Sequence, residues 1–139
     1  MFKTVLTSLS LALAAMTASA APALDPKEWL HFATTDEMLF YVERESGAIR
    51  KIKDGDHLVF ARLRTIDKRD QEQTDFSAVV LYSQCATGRG ILIQREDGDA
   101  EDGSDDMRTE FNLKTHRVID DLARLICEYG NRRVPQLRT

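Results

Sequence analysis

The sequence predicts an α+β domain: an antiparallel, meander-like β-sheet of about five or six strands, one C-terminal helix packed on it, and a disulfide joining sheet to helix. Three observations carry this. Short apolar runs with two-residue alternation are separated by turn residues, with no crossover helix between them. One amphipathic helical segment follows the strands. Two cysteines, Cys85 and Cys127, are the full complement of the 139 residues, and they follow an N-terminal segment with the features of an export signal.

That segment has a basic start at Lys3, an apolar stretch from Val5 to Met16 broken only by Thr7, Ser8 and Ser10, and a small-x-small cleavage site at Ala18-Ser19-Ala20. It reads as a signal peptide over residues 1–20, too short for a membrane span. Export places the two cysteines in an oxidising compartment. They lack C-x-x-C spacing, so a structural Cys85–Cys127 bond is expected rather than a redox pair or a metal site. The expected organisation is an extended leader over 21–27, with Pro22 and Pro26 opposing helix, a single domain over 28–130, and a tail over 131–139. No second apolar stretch of spanning length and no cysteine near the cleavage site are seen. Neither a membrane span nor a lipid anchor is therefore expected, and the location is periplasmic or secreted.

The first strand is expected over Glu28–Thr34, with Trp29 and His31 on one face and Leu30 and Phe32 on the other. The run Met38–Val42, rich in β-formers, reads as a second strand. Ser46-Gly47 makes a turn. Ile49–Lys53 and His57–Thr65 form a hairpin across Asp54-Gly55, residues that tolerate the positive φ of a type I′ turn. In its second arm Val59, Ala61 and Leu63 share a packed face, while Arg62 and Arg64 share a wet one. Asp67–Asp75 is a polar loop. Phe76–Cys85 is the strongest strand and delivers Cys85 at its end. Gly88-Arg89-Gly90 is a bulge or a turn, Ile91–Arg95 continues as strand, and Met107–Leu113 adds a short last one.

The helix is expected over Thr115–Tyr129. Val118, Ile119, Leu122, Leu125, Ile126 and Tyr129 form one stripe, Thr115 is the N-cap, Gly130 the stop, and Pro135 bars continuation. Asp120 and Arg124 are placed to pair at i, i+4 on the wet face. Cys127 lies about 135° from the centre of that stripe. Bonding it to the sheet would require the last turn to sit at a sheet edge or to fray.

The formal net charge of −4 argues against general nucleic-acid binding. The acidity is local: Glu96–Asp106 carries seven acids and no base. Asp97, Asp99, Glu101 and Asp102 are candidate calcium ligands, the first three by the alternating carboxylate spacing of an EF-hand loop. The frame fails, because its glycine position is Asp102 and its twelfth position is Arg108. The default is a solvated, self-repelling, mobile loop, and Glu96, Asp97, Asp99, Glu101, Asp102, Asp105 and Asp106 are candidate partner-binding residues. Arg62, Arg64, Lys68 and Arg69, interrupted by Asp67, Asp70 and Glu72, read as a solvated face. His31, His57 and His116 have no metal-ligand spacing, and Ser77, Ser83 and Ser104 have no nucleophile elbow or evident base. No cofactor is implied and no catalytic residue is assigned.

Several of these residues together resemble the surface-adhesin protein E family of small bacterial exported proteins. They are Trp29, the strand Phe40-Tyr41-Val42, Ser46 to Ile49 followed by a hairpin, Tyr82-Ser-Gln-Cys85, and Cys127 near the end of a C-terminal helix. The resemblance implies an antiparallel sheet tied to that helix by the disulfide, and adhesion to host extracellular-matrix and serum proteins. The chain departs in having no lipid-attachment cysteine and in carrying the acidic stretch. The functional expectation is an exported, non-enzymatic, adhesin-like protein that binds an unknown protein partner. The alternative is an exported inhibitor of a cationic hydrolase that acts through residues 96–106.

Overall fold

The computed structural model describes residues 24–138, so the expected signal peptide and the start of the leader lie outside the described residues. Seven strands form one antiparallel sheet: β1 Trp29–Thr34, β2 Met38–Glu43, β3 Ala48–Lys51, β4 His57–Asp67, β5 Gln73–Leu81, β6 Arg89–Glu96 and β7 Met107–Asn112. The order is β1-β2-β4-β5-β6-β7, and β3 pairs with β4. The expected antiparallel sheet is therefore present, with seven strands rather than five or six, and β3 stands off the otherwise meandering path because β2 pairs directly with β4. Of the leader, Asp25–Glu28 is a turn rather than extended chain. The Asp25 carbonyl accepts from the Glu28 and Trp29 N–H groups, and its side chain accepts from the Lys27 N–H.

β2 and β3 lie along the same edge of β4, because its other edge is fully paired with β5. Val42 faces Leu63 and Ala48 faces Phe60, so six steps of chain match three on β4. Ser46 fills this bulge. Its hydroxyl accepts the Arg62 N–H (2.8 Å) and donates to the Glu43 carbonyl (2.7 Å), giving a central-strand donor the partner that the bulge removes. The β3–β4 connection bends as its residues demand, with Asp54 at φ 70° and Gly55 at φ 80°.

β5 ends at Leu81, four residues before the expected Cys85, and Tyr82–Thr87 forms a short helix, α1. Asp56 holds its start, accepting from the Ser83 N–H (3.1 Å) and hydroxyl (2.6 Å). Gly88 ends it, donating to the Gln84 carbonyl. The long helix, α2, spans Val118–Arg133 and is followed by a 3-10 turn over Val134–Arg138. It begins later than expected and runs through Gly130.

Its buried face is also rotated from the expected stripe. Leu122, Ala123, Ile126, Cys127 and Gly130 are buried, whereas Val118, Leu125 and Tyr129 are only half-buried. Small residues escaped the count of large apolar ones, yet they mark where α2 lies closest to the sheet. A Cβ on Gly130 would sit 2.9 Å from Tyr82 Cδ1 and 3.2 Å from Val59 Cγ2. On this face Cys127 is only about 50–60° from the centre, and no frayed turn is needed. The Cys85–Cys127 bond (Cα–Cα 5.5 Å) joins α1 to α2. Closing a loop of 42 residues constrains the unfolded chain by about 4 kcal/mol. Val42, Val59, Leu63, Val80, Leu92 and Phe111 meet the helix residues in one core.

Asp120 is fully buried, at the helix N-terminus. Contrary to expectation it does not pair with Arg124, because it lies on the inner face. Arg124 instead binds Asp121 (2.5 Å) and the Leu113 carbonyl (2.6 Å). The Asp120 carboxylate accepts from the Asn112 N–H (2.9 Å), the Thr115 hydroxyl (2.5 Å), the Arg117 N–H (3.0 Å) and the Arg117 guanidinium (2.9 and 3.0 Å). Thr115 thus serves this carboxylate rather than capping the helix, and Arg117 is the N-cap residue. Burial alone would raise the Asp120 pKa. The hydrogen bonds from Arg117, Thr115 and the Asn112 backbone outweigh it and hold the group far below the ordinary value of 3.8.

Two outcomes follow for stability. Leu122→Asp should cost several kcal/mol in chemical denaturation, because the carboxylate is buried without a partner, and Leu125→Asp clearly less; equal losses would refute the rotated face. Asp120→Ala should cost about 3–5 kcal/mol, since it leaves three donors, the Asn112 N–H, the Thr115 hydroxyl and the Arg117 N–H, without their acceptor and breaks the Arg117 ion pair. The Asp120 pKa is lower folded than unfolded. Its stabilisation is therefore complete above the unfolded value near 3.8 and lost as pH falls below it. Denaturation curves for Asp120→Asn should show a shallower loss between neutral pH and strongly acidic solution than those of the wild type.

Candidate functional site: the open face of the sheet

Both helices pack on one face of the sheet, where the odd residues of β4 from His57 to Thr65 are buried. Residues paired across neighbouring strands share a face, so the opposite one can be read from the register. It presents Trp29 and His31 from β1, Tyr41 from β2, Leu58, Phe60, Arg62 and Arg64 from β4, Asp75, Ser77, Val79 and Leu81 from β5, Arg89, Ile91, Ile93 and Arg95 from β6, and Arg108 and Glu110 from β7. None of the described helices covers it.

One end of this face is charged. Arg64 binds Asp75 through two hydrogen bonds (2.7 and 3.0 Å) and lies 4.2 Å from the centre of the Trp29 ring. Arg62 bonds Ser77 (2.9 Å) and both Asp97 oxygens (2.8 and 2.6 Å). Arg95 grips Asp106 (2.7 and 3.0 Å). The hydrogen bonds from Arg62 and Arg95 hold Asp97 and Asp106 below the ordinary carboxylate range, and Asp97 and Asp75 raise Arg62 and Arg64 in turn.

The acidic segment is thus anchored at both ends on this face, which corrects the expectation of a free, self-repelling loop. Two of its seven acids neutralise arginines, and Asp102 accepts the Ser104 N–H (2.9 Å). Arg62 and Arg64 are correspondingly not a merely solvated pair. Lys68 and Arg69 lie apart from them in the β4–β5 turn, where Arg69 pairs with Asp67 (3.0 Å). Glu96, Asp99, Glu101 and Asp105 form no ion pair among the described residues. Asp97, Asp99, Glu101 and Asp102 do not come together as a metal-binding group, nor does any set of three His, Cys, Asp or Glu among the described residues. Asp97 turns to Arg62 instead.

The other end of the face is apolar. Phe60 lies beside Val79 and Val79 beside Ile93, while Leu58 lies beside Leu81. Ile91 is two residues before Ile93 on the same face and is 40% exposed, and the other five are half-buried. Sequence reasoning missed this patch. The available signal was the unbroken run Ala78-Val-Val-Leu81: a strand apolar on both faces does not alternate.

The remaining candidates have structural surroundings. His31 Nε2 is 2.7 Å from Thr34 Oγ1, His57 is buried edge-on against Tyr82, and His116 precedes α2 rather than standing in its first turn. Ser77 serves Arg62 and Ser83 serves Asp56; neither bonds a histidine among the described residues.

Comparison of the chain with family models, curated proteins and solved structures finds no match. The face defines a class only: a disulfide-tied α+β domain with an open sheet surface that is half ionic and half apolar. Among the described residues no helix is long and apolar enough to cross a membrane.

Asp97→Asn should lower the melting temperature measurably, through a loss of stability of less than ~1 kcal/mol for so exposed a pair. Joint neutralisation of Asp99, Glu101 and Asp105 should leave it unchanged. The reverse pattern in differential scanning calorimetry would show that the loop is anchored elsewhere.

Proposed function

We propose that this is an exported, non-enzymatic binding protein of the surface-adhesin protein E type, which recognises a protein partner through the open face of its sheet. The observation that carries the reading is the patch Leu58, Phe60, Val79, Leu81, Ile91 and Ile93. An antiparallel sheet with one solvated face ordinarily presents polar side chains there, and contiguous apolar surface rimmed by charge marks interaction sites. The signal-like N-terminus and the disulfide support export.

A second reading has its own support. Glu96, Asp99, Glu101 and Asp105 are left unpaired on a segment whose ends are fixed, so their negative field is presented at one edge of the molecule. That suits an inhibitor of a cationic hydrolase, whose association electrostatics would accelerate.

Immobilised extracellular-matrix and serum proteins, titrated with the protein cleaved after Ala20, distinguish the two. Adhesin-like recognition should give saturable, salt-insensitive binding that Ile91→Asp weakens at least tenfold and neutralisation of Asp99, Glu101 and Asp105 leaves intact. Binding only to a basic hydrolase, lost on neutralising the loop and falling steeply with salt, would establish the inhibitor.

A further inference from the structure

Resting on the sheet-face reading, we infer the chemistry of the partner: the open face takes a protein segment that presents apolar side chains flanked by carboxylates. The apolar rows end in cations on both sides. On the β3 side, Arg50 pairs in register with Leu58 and lies 5.7 Å from the Phe60 ring centre. On the other side, Arg108 is in register with Ile93, and Arg89 is two residues before Ile91. Arg50, Arg89 and Arg108 are exposed. Unlike Arg62, Arg64 and Arg95 at the far end of the face, they form no ion pair among the described residues. Glu110 is in register with Ile91, Asp56 stands two residues before Leu58 and bonds Ser83, and Arg108 also feels the Asp106 carboxylate. The exposed arginines Arg50, Arg89 and Arg108 therefore outnumber the acids around the apolar floor.

Complementarity selects the occupant. A second copy docked face to face would bring the same excess against itself, since a two-fold interface apposes identical surfaces. An anionic membrane would satisfy the arginines, but the face also carries the anchored loop, whose unpaired Glu96, Asp99, Glu101 and Asp105 such a surface repels. A segment of limited length meets neither obstacle. It can lie over β4, β5 and β6 and reach Arg50 on one flank and Arg108 on the other, which stand four strand spacings, or about 19 Å, apart. Beside Ile91 the surface deepens into a mainly polar cleft of ≈ 450 Å³ between Arg89, Glu110 and Arg117, which gives a polar side chain of the segment somewhere to seat. Arg50 and Arg108 are then specificity-determining residues, and Ile91 belongs to the shared floor.

The test uses two fluorescent ten-residue peptides, one alternating Leu/Val/Phe with Glu/Asp and one with the acids replaced by Lys. Sonicated phosphatidylglycerol–phosphatidylcholine vesicles and sedimentation of the protein alone complete the set. The acidic peptide should bind, perturbing the backbone amide resonances of Leu58–Phe60, Val79–Leu81 and Ile91–Ile93, and the basic one should bind at least tenfold more weakly. The double variant Arg50→Glu/Arg108→Glu should reverse that order. Both positions are exposed, so its fold should survive, which the dispersion of its amide spectrum checks. Failure of the acidic peptide to bind, equal binding of the two peptides, or an order unmoved by the charge reversal overturns the inference. So does vesicle binding through the same amides, or a dimer dispersed by Ile91→Asp. If partner capture is lost in Ile91→Asp yet indifferent to the reversal, the sheet-face reading survives and the acidic chemistry falls. If Ile91→Asp also captures normally, both fall.

Discussion

The Asp120 carboxylate is the constraint on which the rest of the structure depends. It sits fully buried where the last strand hands over to the long helix. Its two oxygens accept from the backbone of Asn112, the hydroxyl of Thr115, and the backbone and guanidinium of Arg117. A charge so placed is tolerated only because every neighbour donates to it. The same unit also protects the sheet. β7 is an edge strand, and Arg117 donates to the Glu110 carbonyl (3.1 Å) while Asp120 takes the Asn112 N–H. Part of the edge ladder is thereby closed to another chain. The helix start is fixed, and the disulfide at Cys127 fixes its far half; between them lie Leu122, Ala123 and Ile126 against the sheet.

Committing both helices to one face leaves the other free, and the division of that free face has a physical origin. At the loop end, Arg62, Arg64 and Arg95 are each held by an aspartate in a two-point contact, and Trp29 stacks over Arg64. Planar guanidinium and carboxylate groups in this geometry form a fixed lattice rather than loose surface charges. At the opposite end Arg50, Arg89 and Arg108 form no ion pair among the described residues, and the floor is aliphatic and aromatic. One surface thus has a stiff, self-satisfied half and an unsatisfied half, and recognition is expected from the latter.

Much of this architecture is legible in the sequence. The alternation of Val59, Ala61 and Leu63 against Arg62 and Arg64 identifies the two faces of β4. The Asp54-Gly55 pair identifies its hairpin, and the two cysteines identify the tie between sheet and helix region. The stripe of large apolar side chains does not mark the buried face of the helix, because the closest contact with the sheet is made by small ones. Ala123, Cys127 and Gly130 are where the helix approaches most closely, and close approach selects for small volume. An acid in an amphipathic helix usually faces water; only the donors gathered from β7 and the turn before α2 make the burial of Asp120 tolerable.

The sequence by itself determined the fold class, the β3–β4 hairpin and the pairing of the cysteines, because these rest on local periodicity, turn chemistry and a count of two. It also located the acidic stretch. The tertiary structure decided which acids of that stretch are spent on arginines, why Ser46 sits at the bulge, and that six apolar side chains from three strands form one exposed floor. Those facts depend on contacts between residues such as Arg62 and Asp97, 35 positions apart, whose meeting is set by strand register and not by any property of either residue's neighbours in the chain.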